Sequence, residues 1–406
     1  MRLCEVMSKK ILFVWHSRND IFTYIPVIKK LLENGHEVCV AVNDTEKIDI
    51  EELTNLPTTI KKMSEYATSD IRKILRSENA GLVVVGNAHT ALCKAFILSA
   101  HTLNLPTVFI NYGITWAPKT KGRYLGDVLL TLTHEHLRPT LKMLLHSKVM
   151  PEYIKEVVLN ARSGGYRSAY GVCTKTCVIG RDAYNLAVKN GICGERMVIT
   201  GQPMFDTIVE EKSIRDEEDI KARLGLAGKK SVLFLTQALV EDGIWSLEEW
   251  ERFMKAVLNA LTPADINLII KPHPREERER YLASLKNFRF ILVQREEKLH
   301  KLLKIADVVI SVHSAAVLEA MLMERPVVLM NFFGNPHRGT PFEGRRELCI
   351  AESPEELASA VMDVLSSPEV QRGVVEAQKG FVEDHAHNLD GRATERVVGV
   401  IESLLN

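Results

Sequence analysis

The sequence predicts an α/β protein of two doubly wound domains, and three observations carry that expectation. At 406 residues the chain is too long for a single hydrophobic core, so two domains are the natural division. Short β-branched runs alternate with helical patterns along most of it, the signature of βα units that feed parallel sheets. Two of those runs, Leu268-Ile-Ile-Lys-Pro-His-Pro-Arg275 and Asp307-Val-Val-Ile-Ser-Val-His-Ser-Ala-Ala-Val-Leu-Glu319, end abruptly in polar groups. A buried parallel strand delivers side chains in this way to the carboxyl edge of a sheet, where open α/β folds bind ligands.

The elements follow in order. Residues 10–15 (Lys-Ile-Leu-Phe-Val-Trp) read as a first strand, and 21–34 as a helix closed by Asn34-Gly35, a usual C-terminal cap. His36–Val42 is a second strand, and a weaker third lies near 57–63. Gly81–Val85 and Thr107–Ile110 read as strands separated by a helix over 88–103. Residues 112–172 read as loop and helices, with Gly164-Gly165 as a turn. Strand Thr176–Ile179, a helix running to Asn190-Gly191, and strand Met197–Thr200 complete a first domain over 8–205. Gly201 to Gly228 carries Pro203 and the charged run Arg215-Asp-Glu-Glu-Asp219, which suits a linker and a solvated helix rather than a metal site. A second domain over 228–385 opens with Lys230-Ser-Val-Leu-Phe-Leu-Thr236. It continues as helix 246–261, strand 266–271, helix 275–286, strand 289–293, helix 296–305, strand 307–312, helix 314–323, strand 326–331 and helix 353–365. Residues 386–406 hold a last helix, 390–405, expected to cross back to the first domain. Two Rossmann-like domains facing each other across a cleft are the expected architecture.

Composition removes several function classes. With 52 basic and 52 acidic residues the formal net charge is zero, which argues against a nucleic-acid binder. The seven cysteines, at 4, 39, 93, 173, 177, 193 and 349, form no regular framework and fit a reducing cytoplasm. Cys39 and Cys93 lie in apolar runs and read as core, while Cys173 and Cys177 lack the second pair that a zinc site needs. No apolar run is long enough to span a bilayer, and the first eight residues are too short and polar for a signal peptide. Residues 129–160 mix Leu, Met and Val with His134, His136, Arg138, Lys142, His146 and Lys148, a composition compatible with a basic amphipathic surface at the inner face of a membrane.

The chemistry-bearing residues sit at strand edges. Lys271, His273 and Arg275 are three groups able to face a phosphate, and Ser314-Ala315 opens a helix whose backbone N–H groups attract an anion. Glu319, a turn and a half further on, is placed to grip ribose hydroxyls. Together they describe a pocket for a nucleoside diphosphate. Gln237, after the first strand of the second domain, is placed to line the cleft, and Arg338, after Asn331-Phe-Phe-Gly-Asn-Pro-His337, lies in a loop expected to reach the bound nucleotide. No Gly-x-Gly-x-x-Gly follows the first strand, which speaks against a nicotinamide or flavin cofactor.

These residues resemble the GT-B superfamily of two-Rossmann-domain enzymes, in particular the UDP-N-acetylglucosamine 2-epimerase branch. The resemblance runs through Ser17-Arg-Asn-Asp-Ile-Phe-Thr-Tyr-Ile-Pro-Val-Ile-Lys-Lys-Leu31, Val198-Ile-Thr-Gly-Gln-Pro-Met-Phe-Asp206, Lys271-Pro-His-Pro274 and His313-Ser-Ala-Ala-Val-Leu-Glu319, four motifs in the family's order. It implies that His273, Ser314 and Glu319 hold the nucleotide and that Arg18 approaches its phosphates. The departures bear on the chemistry. Where those epimerases carry carboxylates in the first domain, this chain has Asn87 and Asn111, and an amide cannot cycle a proton near neutral pH. The pair Lys-Pro-His-Pro and His-Ser-Ala-Ala-Val-Leu-Glu also resembles CDP-glycerol glycerophosphotransferases and capsule or sialic-acid transferases. Glu241-Asp242-Gly243 resembles an acidic motif of bacterial sialyltransferases but lies in the wrong domain for it, and reads as a turn.

The function expected from the sequence is therefore metal-independent transfer of a sugar from a nucleotide donor to a cell-surface polysaccharide or lipid-linked acceptor. Glycerophosphate or similar phosphoalditol transfer, an altered epimerase or hydrolase, and a non-catalytic nucleotide-binding or scaffold protein stand as alternatives. The nucleotide-activated sugar is a substrate, and no cofactor or metal is called for: basic groups and a helix dipole neutralise the leaving diphosphate. The general base is expected from the first domain, with His16 and Asp20 as leading candidates and His89 third. Contact with a membrane surface and a homodimer are both compatible with this reading.

Overall fold

The computed structural model describes residues 10–16, 20–44, 55–86, 90–111, 137–162, 171–226, 228–262, 264–294, 297–334, 336–337 and 340–405. The chain divides into two compact units, with boundaries at Thr207/Ile208 and His385/Ala386.

The first unit runs β1 (Lys10–Trp15), α1 (Asp20–Glu33), β2 (Val38–Val42), β3 (Thr59–Lys62), α2 (Ile71–Ser77), β4 (Ala80–Val85), α3 (Ala91–Thr102), β5 (Thr107–Ile110), α4 (Leu137–His146), α5 (Met150–Arg162), β6 (Lys175–Val178), α6 (Arg181–Lys189) and β7 (Met197–Ile199). Among the described residues its strands form one seven-stranded parallel sheet in the order β3-β2-β1-β4-β5-β6-β7. Both faces are covered, which explains why β1 is apolar from Ile11 to Trp15. Ile11, Phe13 and Trp15 pack towards Tyr24, Val27, Ile28 and Leu31 of α1, while Leu12 and Val14 face Phe96 and Ile97 of α3 with Ile74 and Leu75 of α2. Gly35 ends the turn after α1 at φ +85°, the left-handed conformation that a helix C-terminus asks of glycine.

α7 (Pro203–Ser213) leads across the boundary into α8 (Glu217–Arg223). The second unit continues β8 (Ser231–Leu235), α9 (Leu247–Leu261), β9 (Asn267–Lys271), α10 (Arg278–Ser284), β10 (Ile291–Leu292), α11 (Leu299–Ile305), β11 (Val308–Ser311), α12 (Ala316–Leu322), β12 (Val327–Met330), β13 (Ile350–Ala351), α13 (Pro354–Ser366) and α14 (Pro368–Ala386). Its six described strands are parallel in the order β10-β9-β8-β11-β12-β13. α9 starts in a full capping box, Ser246 with Glu249, and buries Trp250, Phe253, Met254, Val257, Leu258 and Leu261 against Val232, Phe234 and Ile270. α15 (Ala393–Glu402) belongs to the first unit, where Val397, Val398 and Ile401 join the α1 core.

Several boundaries differ from the sequence reading, for identifiable reasons. The helix expected over 275–286 begins only at Arg278, because Pro272 and Pro274 hold the preceding residues extended and Glu276 closes a turn on His273. The last helix starts at Ala393 rather than 390, since the Asp390 carboxylate accepts from the Arg392 N–H at 3.1 Å and from the Arg396 guanidinium at 2.8 and 3.0 Å. α2 and the 19-residue α14 were not anticipated. α14 is a polar helix with two internal glycines, which weakens the periodic signal that identifies helices.

Candidate functional site

In each sheet the strand order reverses once, and the crevice at that switch point is where an open α/β sheet takes its ligand. In the second unit the switch lies between β8 and β11. Thr236 and Gln237 leave β8 there, Pro272 and His273 leave β9 beside it, and His313, Ser314 and Ala315 leave β11. One bond ties the two sides together: the Gln237 side-chain oxygen accepts from the His313 N–H at 2.9 Å. The sequence places these residues 76 apart, and the parallel pairing of Leu235 with Ser311 brings them together.

His273 is half-buried and held by its backbone. Its N–H is shared between Thr236 Oγ1 at 3.0 Å and Glu276 Oε2 at 2.9 Å, and its Nδ1 accepts from the Arg275 N–H at 3.2 Å. An Nδ1 that accepts leaves the ring proton on Nε2 in the neutral form, so the imidazole presents Nε2 as a donor. Lys271 Nζ donates to the Glu297 carbonyl at 2.6 Å. Arg275 is engaged by Asp242, Nη1 to Oδ1 at 2.6 Å and Nη2 to Oδ2 at 2.9 Å, and Arg280 pairs with Glu241 at 2.6 Å. The Glu241-Asp242-Gly243 turn thus neutralises the cations flanking the His273 turn.

Ser314 Oγ accepts from the Ala316 N–H at 3.2 Å, which closes the turn into α12 and leaves the hydroxyl proton to donate outward. Ala315 is the exposed N-cap residue of α12. That helix has only seven residues, so its dipole is a smaller contribution than local hydrogen-bond donors. Glu319, one turn inside, receives a hydrogen bond from His300 Nε2 on α11 at 2.8 Å. His313 is buried, and burial, together with the neighbouring His337, pushes its pKa down to about 4, so it is neutral near pH 7. His337 Nε2 lies 2.8 Å from the Val312 carbonyl, and burial lowers its pKa as well. Beyond β12 and β13 a cavity of about 380 Å³ is lined by Asn331, His337, Arg345, Arg346 and Glu352 among others.

In the first unit the switch lies between β1 and β4. His16 leaves β1, with its Nδ1 at 3.4 Å from the Asn43 amide nitrogen. Asp20 is the first residue of α1, so it begins the helix rather than preceding it. Asn111 leaves β5; its N–H donates to the Cys177 carbonyl at 3.0 Å, and its buried Oδ1 has no hydrogen-bond partner among the described residues. Arg18, Asn87, His89 and Arg338, and the side chain of Asp20, lie outside the described residues. Cys39, Cys93, Cys173 and Cys177 are all buried, and no cluster of His, Cys, Asp or Glu with metal-ligand geometry occurs among the described residues.

Sequence reasoning missed Thr236, Glu276, Tyr281 and His300. Glu276 carried a readable signal: it follows His273 by three residues, the spacing at which a carboxylate folds back onto a backbone N–H. Thr236, Tyr281 and His300 carried none, because their partners come from other elements of the fold.

Two parallel Rossmann-type sheets, matched over nearly the whole chain by solved structures, give the protein the GT-B fold. Within it, residues 183–403, more than half of the chain, match the CDP-Glycerol:Poly(glycerophosphate) glycerophosphotransferase family, and the chain belongs to that family. It is accordingly a transferase by family. Among solved structures it is similar to S. aureus MnaA in complex with UDP (TM-score 0.64, 17% identity, 98% of this chain and 97% of that one). It is similar also to the UDP-GlcNAc 2-epimerase of Neisseria meningitidis bound to UDP-GlcNAc (TM-score 0.62, 14% identity, 97% and 100%). The wall teichoic acid polymerase TagF matches to the same degree (TM-score 0.62, 14% identity, 98% and 88%). At such identities the likeness establishes the fold. No curated protein sequence matches the chain.

Proposed function

We propose that this protein transfers a glycerophosphate, or a closely related polyol phosphate, from a CDP-linked donor to a hydroxyl of a glycan or lipid-linked acceptor. The observation that carries the reading is the convergence of the Thr236–Gln237, His273 and His313–Ala315 edges at one switch point, in a chain of this family. The sequence alone ranks sugar transfer first and glycerophosphate transfer second; family membership exchanges the two.

In the proposed reaction the acceptor oxygen attacks the β-phosphorus of the donor. The bond from that phosphorus to the bridging oxygen breaks, and CMP departs with the bridging oxygen as a phosphate oxygen. Negative charge grows on the leaving phosphate, where fixed donors stabilise the transition state more than the ground state. His273 Nε2–H and the Ser314 hydroxyl are the assigned donors, supported by Lys271, with Arg275 available once Asp242 releases it. Ala315 offers its backbone, Glu319 takes the ribose hydroxyls, and Gln237 fixes the crevice. Arg18 and Arg338 are assigned to donor phosphates. The acceptor proton is assigned to His16 or Asp20, with His89 as the further candidate, and Asn87 and Asn111 to substrate contact. Their amides support transfer over the epimerase route, which requires carboxylates there.

Contact with an anionic membrane surface is part of the proposal. α4 and α5 leave Leu141, Leu145, Ile154 and Val158 exposed beside Lys142, Lys148 and Lys155, while Leu144 and Val149 anchor the pair in the core. No helix among the described residues is long and apolar enough to cross a membrane. The test is nucleotide release from CDP-glycerol and from UDP-N-acetylglucosamine, each with and without a glycerophosphate-primed lipid acceptor. Acceptor-dependent CMP release, lost in His273→Ala, is the expected result. Acceptor-dependent UDP release would return the assignment to sugar transfer, and release from neither donor would remove the reading.

A further inference from the structure

We propose that Glu276 is a positioning residue, holding His273 in the orientation and tautomer in which it meets the donor phosphate; the proposal rests on the nucleotide reading above. Glu276 lies in the turn that follows β9, where its own N–H donates to the His273 carbonyl at 2.9 Å. Its side chain folds back, so that Oε2 accepts both the His273 N–H at 2.9 Å and the Thr236 hydroxyl. Tyr281 of α10 donates its hydroxyl to Thr236 Oγ1 at 3.0 Å, and the Thr236 N–H donates to the Lys271 carbonyl at 3.2 Å. One carboxylate therefore gathers the end of β8, the end of β9 and α10 around the backbone of His273.

The cost of this arrangement argues that it does more than close a turn. Glu276 is 2% exposed and Tyr281 fully buried. Burial raises the Glu276 carboxyl pKa, while hydrogen bonds from Thr236, His273 and Tyr281 pull it down. A turn that needed only closing could use an exposed serine or asparagine and avoid burying an ionisable group. What the buried group provides is rigidity at two successive points. It fixes the His273 N–H directly, and the same turn fixes the Arg275 N–H that points at His273 Nδ1. With Nδ1 accepting, the proton sits on Nε2, the donor that an acceptor-only phosphate oxygen requires.

The experiment uses the full chain with imidazole-¹⁵N histidine, the His273 signals being assigned by their loss in His273→Asn. Two readouts are followed: the His273 ring tautomer and affinity for CDP. In the wild type the ring shows the Nε2–H form. Glu276→Gln retains an oxygen acceptor and keeps that signature, with CDP affinity within about threefold. Glu276→Ala and Thr236→Val release the ring to both tautomers, and CDP binding weakens about tenfold to a hundredfold, the loss of one hydrogen bond to a charged group. Should Glu276→Ala fail to fold, Thr236→Val decides. Wild-type ring signals and affinity in the folded variants would overturn the proposal. A wild type that binds no nucleotide, with ring signals that still respond to Glu276, would remove the nucleotide reading and leave the positioning intact.

Discussion

Glu319 offers a test of the donor pocket in which the change can be made on either side of the contact. Its carboxylate is 14% exposed, and Oε2 is held by His300 Nε2 at 2.8 Å. No described residue hydrogen-bonds Oε1, and the proposed function assigns it a ribose hydroxyl. A hydrogen bond to a charged group in such a place contributes about 1.5–3 kcal/mol, so losing it weakens nucleotide binding about tenfold to a hundredfold. The same loss follows from removing the hydroxyl instead. Wild-type protein should therefore prefer CDP to 2′-deoxy-CDP by about tenfold or more, and Glu319→Ala should bind both equally weakly. His300→Ala leaves the carboxylate in place but frees its rotamers, an ordering cost of about 0.5–1 kcal/mol that weakens CDP twofold to fivefold and keeps the discrimination. Isothermal titration of three proteins against two ligands gives the complete cycle. Equal affinity of the wild type for ribo- and deoxyribonucleotide would refute the assignment of Glu319, whatever the variants did.

Other predictions concern stability and surface. His313 has its pKa lowered from 6.5 in the unfolded chain to about 4 in the fold, so the unfolded state takes up its proton first as pH falls. Stability should decline by about 3 kcal/mol between pH 6.5 and 4, and urea midpoints for His313→Gln should be flatter across that window; equal slopes would show that another group governs acid loss. Phe381 of α14 is fully buried, stacks on Phe342 with centroids 5.0 Å apart and lies under the Arg345 guanidinium, so Phe381→Ala should cost about 3–5 kcal/mol, visible by calorimetry as a lowered transition. Leu145→Glu with Ile154→Glu places charges at two exposed apolar positions, and should abolish flotation with phosphatidylglycerol vesicles while leaving the melting temperature unchanged. Flotation retained by the double variant would argue against α4 and α5 as the contact.

The parts of the fold that could be read in the sequence are those where one local cause suffices. β1, β4, β9 and β11 are buried on both faces, which writes them as continuous apolar runs, and the residues that follow them are polar because a strand edge meets solvent or ligand. His273 and Ser314, assigned to the donor in the proposed function, stand at such edges, whereas Glu319 lies inside α12. α14 and β13 were not legible: a polar helix and a two-residue strand carry little periodicity, and both are stabilised by contacts made elsewhere, such as Gln378 reaching the Val327 N–H at 2.7 Å and the Arg325 carbonyl at 3.0 Å. The helix expected over 275–286 shows the converse error. Its composition is helical, but the prolines and the Glu276 fold-back take Arg275, Glu276 and Glu277 from its start, and the first two of these bond to His273.

The same reasoning explains why the choice between sugar and glycerophosphate transfer was not legible. Under the proposed reading both reactions ask the second unit for one service, stabilising a phosphate that gains negative charge as it leaves, and Lys271, His273 and Ser314 are chemically suited to either. They differ in which atom is attacked, an anomeric carbon or the β-phosphorus, and that is decided by groups around the transferred moiety rather than around the nucleotide. Residues 112–136, Asn87, His89 and Arg338 lie outside the described residues. A nucleotide pocket made of strand-edge turns leaves contiguous motifs in sequence, whereas a pocket that discriminates substrates is built from scattered side chains whose spacing only the fold supplies. Family membership therefore carries more weight on the reaction than any motif here, and the donor-edge residues carry more weight on the nucleotide. That division is what the CMP-against-UDP release assay and the deoxyribonucleotide cycle separate.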